Sequence, residues 1–118
     1  MISSDIMRGY HDIIICLLLS EGDNYGYEIS SQIERRCKGK YQIKEATLYS
    51  ALNRLEKNGC ILSYDGAETF GRPRTYYRLS SVGKQFLKEK AIEWNDTQEV
   101  INEFFKEANY EYNCQLCQ

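Results

Sequence analysis

Cations, hydroxyls and one tryptophan are the residues of this chain best placed to do chemistry. Thr47, Ser50, Asn53, Arg54 and Lys57 fall largely on one side of a stretch that runs from Ala46 to Gly59. Its other side carries Leu48, Leu52 and Leu55 at i, i+4 and i+7, widened by Tyr49 and Ala51, which is the pattern of an amphipathic helix. A guanidinium fork such as that of Arg54 matches the O6 and N7 acceptors of guanine, whereas ammonium and hydroxyl groups suit phosphate oxygens. A cationic run, Arg35, Arg36, Lys38, Lys40 and Lys44, leads into this stretch with no acid among residues 35 to 44. Arg72 and Arg74 flank the single proline, Pro73, further on. Taken alone, the same pattern also describes a core helix with a solvated outer face and a hairpin with cationic edges.

Other chemistries find little support. The one histidine, His11, has no Cys or Ser partner in a local signature, and there is no phosphate-binding glycine loop and no carboxylate pair with a clear role, so an enzyme is not expected. His11 reads as a partly exposed polar residue of the first helix. The five cysteines are odd in number and lack a framework spacing. Cys16 and Cys37 sit in helical patterns among apolar neighbours and Cys60 opens a strand, the pattern of small buried hydrophobes with free thiols. Cys114 and Cys117 form a lone C-x-x-C pair near the end of the chain. A structural zinc site takes four ligands, so two chains would have to pool their thiols, and no metal or cofactor is expected.

At 118 residues, 42% hydrophobic and with one Pro, the chain is long enough for one domain with an appended helix. Ten tyrosines suit interfaces and wet pockets, because the ring covers apolar surface while its hydroxyl stays solvated. Net charge is −2, so placement of charge decides more than its sum. The apolar run Ile13 to Leu19 is too short to cross a bilayer. Asp5 and Asp12 stand where a signal peptide would need cations, and Glu21 follows the run, so a cytoplasmic protein is expected.

These residues need elements to position them. Ile6, Tyr10, Ile13, Ile14, Leu17 and Leu18 predict a first helix over 5–20, and Tyr25, Ile29, Ile33 and Cys37 a second over 25–37. The Ala46 stretch follows the basic loop and stops at Asn58-Gly59, where Gly suits a left-handed cap. Residues 60–64 and 74–79 read as a hairpin whose tip runs from Asp65-Gly66 through Gly71. Thr75, Tyr77 and Leu79 share one face, and Arg74, Tyr76 and Arg78 the other. Ser80 or Ser81 caps a last helix over 81–108, where Leu87, Trp94, Ile101 and Ala108 recur every seven residues and Ala91, Gln98 and Phe105 interleave, a heptad seam. Val82, Phe86, Val100 and Phe104 widen it, more apolar surface than a small domain can cover, so a second copy is expected to pair with it. Residues 89 to 111 hold seven acids against Lys90 and Lys106, which keeps this part away from phosphates. The fold expected is mainly α with a β-hairpin wing: a winged helix-turn-helix over 5–79, a dimerisation helix over 80–108 and a frayed tail over 109–118.

Three segments are more specific. Tyr25-Gly26-Tyr27-Glu28-Ile29, the Thr-Leu-Tyr-x-Ala-Leu-x-x-Leu-Glu-x-x-Gly pattern within Ala46 to Gly59, and Gly71-Arg72-Pro73-Arg74-x-Tyr76-Tyr77-x-Leu79 together resemble the PadR family of bacterial transcriptional regulators, in its small subtype with a single C-terminal dimerisation helix. The likeness covers roughly residues 8 to 106. It departs from the family at Ser50, where many members carry Pro. The resemblance implies a homodimer that binds a (pseudo)palindromic operator in double-stranded DNA, usually as a repressor, and that an effector or other signal releases. By position it implies Thr47, Tyr49, Ser50 and Arg54 at or near DNA, Lys40 and Lys44 flanking them, and Arg72 and Arg74 serving the wing. Trp94, with Leu87, Ala91, Gln98, Ile101 and Phe105 on the same seam, becomes either a dimer anchor or a stacking platform for an aromatic effector. The alternative is a winged-helix interaction module that dimerises without sequence-specific DNA binding.

Overall fold

The computed structural model describes residues 2–66 and 73–108. In order it contains α1 (Ser4–Met7), α2 (His11–Ser20), β1 (Asn24–Tyr25), α3 (Gly26–Arg36), α4 (Glu45–Lys57), β2 (Ile61–Asp65), β3 (Thr75–Leu79) and α5 (Ser81–Glu107). Arg72, most of the expected hairpin tip, the expected tail over 109–118 and the Cys114–Cys117 pair lie outside the described residues.

The core forms where the helical periods converge. Ile15, Cys16 and Leu19 of α2, Ile29 and Ile33 of α3, and Leu48, Ala51, Leu52 and Leu55 of α4 pack with Ile61, Tyr77 and Leu79 of the sheet. Ile15, Ile29, Leu48, Leu52, Leu55 and Ile61 are almost wholly buried, and each contributes about 1.5–3 kcal/mol relative to exposure. Tyr41 and Ile43 join them from the loop between α3 and α4. Residues 41–44 alternate inward and outward, so Gln42 and Lys44 are exposed. The basic loop is therefore pinned from inside. Lys38 and Gly39 turn it with positive φ, and the Ile2 N–H donates to the Lys40 carbonyl at 2.9 Å.

Three elements differ from the sequence expectation. The first helix is two. Ser3 caps α1 by accepting from the Ile6 N–H, α1 ends at Arg8, and α2 restarts after Tyr10. Gly9, a poor helix former, lies at the break, which sets the orientation of His11 independently of α1. Second, His11 is only 6% exposed, not partly exposed: its Nε2 lies 2.7 Å from the Tyr41 hydroxyl and the two rings stack at 5.7 Å. Third, Asn24 and Tyr25 form a short strand, so the second helix starts at Gly26 rather than at Tyr25. They pair antiparallel with Tyr77 and Tyr76, so the sheet has three strands in the order β1-β3-β2. Two residues are too few to show a period of two.

The hairpin register runs from Ile61↔Leu79 to Asp65↔Thr75, with Tyr77 and Leu79 inward as their alternation predicts. Ser80 caps α5: its Oγ accepts from the Gly83 N–H at 3.1 Å and donates to the Gly59 carbonyl at 2.6 Å or to that of Cys60. Phe86 and Leu87 pack on the core. The described residues up to Leu87 form one compact unit and those from Lys88 onward a second. In the second unit, Ile92, Trp94, Val100, Ile101, Phe104 and Phe105 are exposed, and Lys90 pairs with Glu93 at 2.9 Å. Among the described residues no helix is long and apolar enough to cross a membrane.

Candidate nucleic-acid interface

The outward face of α4 is built by the same leucines that fill the core. With Leu48, Leu52 and Leu55 turned in, Ser50, Asn53, Arg54 and Lys57 are exposed and Thr47 is half-buried. Lys44 is the N-cap and caps no N–H with its side chain, and the first intrahelical bond runs from the Leu48 N–H to the Lys44 carbonyl. The backbone N–H groups of the first turn thus point out of the helix end, where the dipole favours an anion. Tyr49 is turned differently from its neighbours. Its hydroxyl end lies against Gly26, where a Cβ would collide with it, so the ring spaces α4 from the start of α3 while remaining 39% exposed.

Arg54 is held by a residue that sequence spacing does not bring near it. Its Nε donates to Asp12 Oδ2 at 3.1 Å and its Nη2 to Asp12 Oδ1 at 2.5 Å. The carboxylate raises the guanidinium's already high pKa. An open groove runs beside the pair, with Ser4, Arg8, His11 and Asp12 on one wall and Ala46, Thr47, Ser50 and Arg54 on the other. Burial lowers the pKa of His11 from its ordinary 6.5; Asp12 opposes that shift and Arg54 adds to it.

Two cations of the basic run are neutralised: Arg35 pairs with Glu28 at 2.9 Å and Arg36 with Glu21 at 2.8 Å. Lys38, Lys40 and Lys44 are exposed and make no ion pair among the described residues. At the base of the wing, the Arg74 guanidinium lies 4.1 Å above the Tyr25 ring. Tyr25 meets Tyr76 edge-on at 5.5 Å, and Tyr76 stacks on Tyr64 at 5.8 Å. The Tyr64 hydroxyl donates to Asp23 at 2.6 Å, and Arg78 pairs with the same carboxylate. The hydrogen bond from Tyr64 and the Arg78 guanidinium hold Asp23 below the usual carboxylate range against the opposing effect of burial, while the Asp23 carboxylate, with burial, pushes Tyr64 up.

Thr47, Ser50 and Arg54 therefore line one groove, Lys40 and Lys44 stand on the loop that leads to it, and Arg74 immediately precedes β3. Of the seam residues, Leu87 is half-buried on the core, and Ala91, Trp94, Gln98, Ile101 and Phe105 are exposed on α5. Sequence reasoning missed Asp12, Tyr25 and Tyr41. Their partners are long-range, and no spacing signals them.

The Transcriptional regulator PadR-like family matches residues 14–89. The chain belongs to that family. A transcriptional regulator from Clostridium thermocellum is 56% identical with a TM-score of 0.82, covering 88% of this chain and 98% of that one. A PadR family transcription regulator from Clostridium difficile is 40% identical with a TM-score of 0.73, over 81% and 98%. Bacillus subtilis PadR, solved in complex with operator DNA, is 26% identical with a TM-score of 0.63, over 69% of this chain and 45% of that one. PadR-family members are transcriptional regulators, not enzymes, and the mainly helical chain with its small antiparallel sheet has their winged-helix fold.

Proposed function

We propose that this PadR-family regulator is a homodimeric repressor that binds a (pseudo)palindromic operator in double-stranded DNA and is released by a small-molecule effector or another signal. Residues 5–79 act as the DNA-binding domain and residues 80–108 as the dimerisation helix; the site of action is the cytoplasm, where the DNA is. The observation that carries the reading is the outward face of α4, where an uncapped helix end beside Lys44 opens onto a groove lined by Thr47, Ser50 and Arg54. Arg54 reads a guanine, and Thr47, Ser50 and the exposed edge of Tyr49 meet neighbouring bases and sugars. Lys40, Lys44, Arg72 and Arg74 contact phosphates, which fix register without reading sequence. The operator complex of the related Bacillus subtilis protein supports DNA as the partner. The exposed apolar residues of α5 support pairing with a second copy, and Trp94 gives an aromatic effector a surface to stack on.

Fluorescence anisotropy tests this with a duplex from just upstream of the protein's own gene and a random duplex, each at two salt concentrations. The upstream duplex binds far more tightly, and both affinities fall with salt by about 0.9 in log K per log unit for every phosphate contacted. Failure to bind either duplex at low salt overturns the reading in favour of a protein-interaction module.

A further inference from the structure

Asp12 and Arg54 are 42 residues apart, and their pairing is a two-point contact. A guanidinium has five N–H donors in a rigid plane. Asp12 takes the side edge, one hydrogen from Nε and one from Nη2. Both Nη1 hydrogens and the second Nη2 hydrogen remain. Two of these point parallel from the end of the side chain, and that end-on fork complements guanine O6 and N7. The side chains are 48% and 25% exposed, and exposed ion pairs add little to stability. The more consequential effect of the pair is on the side chain itself: a long, rotamer-rich arginine is held in one orientation on the outward face of α4.

The support beneath Asp12 reaches into the core. Asp12 is the second residue of α2, in the first turn, where a negative charge suits the positive end of the helix dipole. His11 beside it is buried against Tyr41, which fixes the start of α2. A carboxylate at the mouth of a groove meant for DNA also repels phosphate. Its retention there makes sense when it improves discrimination more than it costs in general affinity.

We infer that Asp12 is a specificity-determining positioning residue, which clamps the side edge of Arg54 so that the end edge reads one guanine in each half-site. The inference rests on the DNA-binding reading above. Removal of the carboxylate lets Arg54 swing among phosphates and neighbouring bases, and it also takes one negative charge from the surface. Operator and non-operator affinities then move in opposite directions, which a loss of folding stability alone does not produce.

The test is selection of binding sites from a randomised duplex library by the native protein, Asp12→Asn and Arg54→Lys. It is followed by anisotropy on the natively selected duplex and on a scrambled one, with thermal melts of each protein. The native consensus contains a guanine in each half-site that Asp12→Asn no longer selects. Affinity of Asp12→Asn for the native duplex falls about tenfold or more, and for the scrambled duplex it rises about twofold to threefold. Arg54→Lys keeps the charge without the fork, loses the same guanine and binds the scrambled duplex as the native protein does. Asp12→Ser carries the test if Asp12→Asn fails to fold. The double variant loses no more discrimination than either single one. A native consensus whose guanine Asp12→Asn still selects overturns the inference while leaving the DNA-binding reading intact. A native protein that selects no consensus overturns that reading, and the inference with it.

Discussion

At His11, sequence and surroundings pull against each other. A group that titrates near neutrality is sealed against Tyr41 at 2.7 Å, and burial lowers its folded pKa below the 6.5 of the free side chain. The unfolded chain therefore binds the proton more readily. Stability falls as pH drops below about 6.5 and levels off once the folded-state pKa is passed. Thermal melts between pH 7.5 and 5 should show a decline that His11→Gln flattens, although the variant is less stable at pH 7.5. Asp23 and Glu28 have folded pKa values below their ordinary 3.8 and 4.5. Their contributions are present above those values and are lost only under more acidic conditions, so they do not confuse the window. A native pH profile that is flat across it would show His11 to be no more protected than in the unfolded chain.

Among the elements, β1 is the smallest, and it carries much of the wing's organisation. Its Tyr25 pairs with Tyr76 in the ladder and lies under Arg74. Stacking uses the face of the guanidinium and leaves its N–H edges free for phosphate. Tyr25→Leu should therefore weaken binding to operator and random duplex alike by about twofold to fivefold, the size of an exposed cation–π contact, and Tyr25→Phe should restore it. Loss confined to the operator would place Tyr25 in base reading instead. At the other end of the sheet, α5 starts tight against the hairpin base. A Cβ at Gly83 would run into the Cys60 carbonyl oxygen and the Leu79 side chain. Gly83→Ala should destabilise the protein by about 1–3 kcal/mol through overpacking, even though Ala is the better helix former by about 1 kcal/mol. Chemical denaturation decides between the two effects, and a stabilised variant would mean that the helix start shifts freely.

For the molecule as a whole, the second unit carries a run of large apolar side chains that the single chain leaves exposed. Trp94 is 45% exposed and Phe104 69%, on a helix whose seam repeats every seven residues. If a second copy covers this face, Trp94→Ala should shift sedimentation toward monomer at low concentration. It should also reduce the fluorescence and binding response to aromatic ligands if the ring is the effector's platform. Unchanged dimerisation and ligand response would leave Trp94 as neither anchor nor platform. The same dimer would set the distance between the two α4 helices, and so the half-site spacing of the operator.

Much of this was legible in the residues themselves. The period of 3.6 in Leu48, Leu52 and Leu55, the cap at Asn58-Gly59, the alternation around Tyr77 and the heptads of α5 are local patterns, and local patterns determine helices, strands and the faces they bury. Three short segments, taken in order, resemble the family to which the chain belongs. The rest depends on contacts between residues far apart in the chain. The break at Gly9, the burial of His11, the two-residue strand at Asn24 and the clamp of Asp12 on Arg54 have no period and no fixed spacing. Sequence alone determined which residues face outward from α4. Only the tertiary structure decided which of them is held in place, because the partner that holds it comes from another helix.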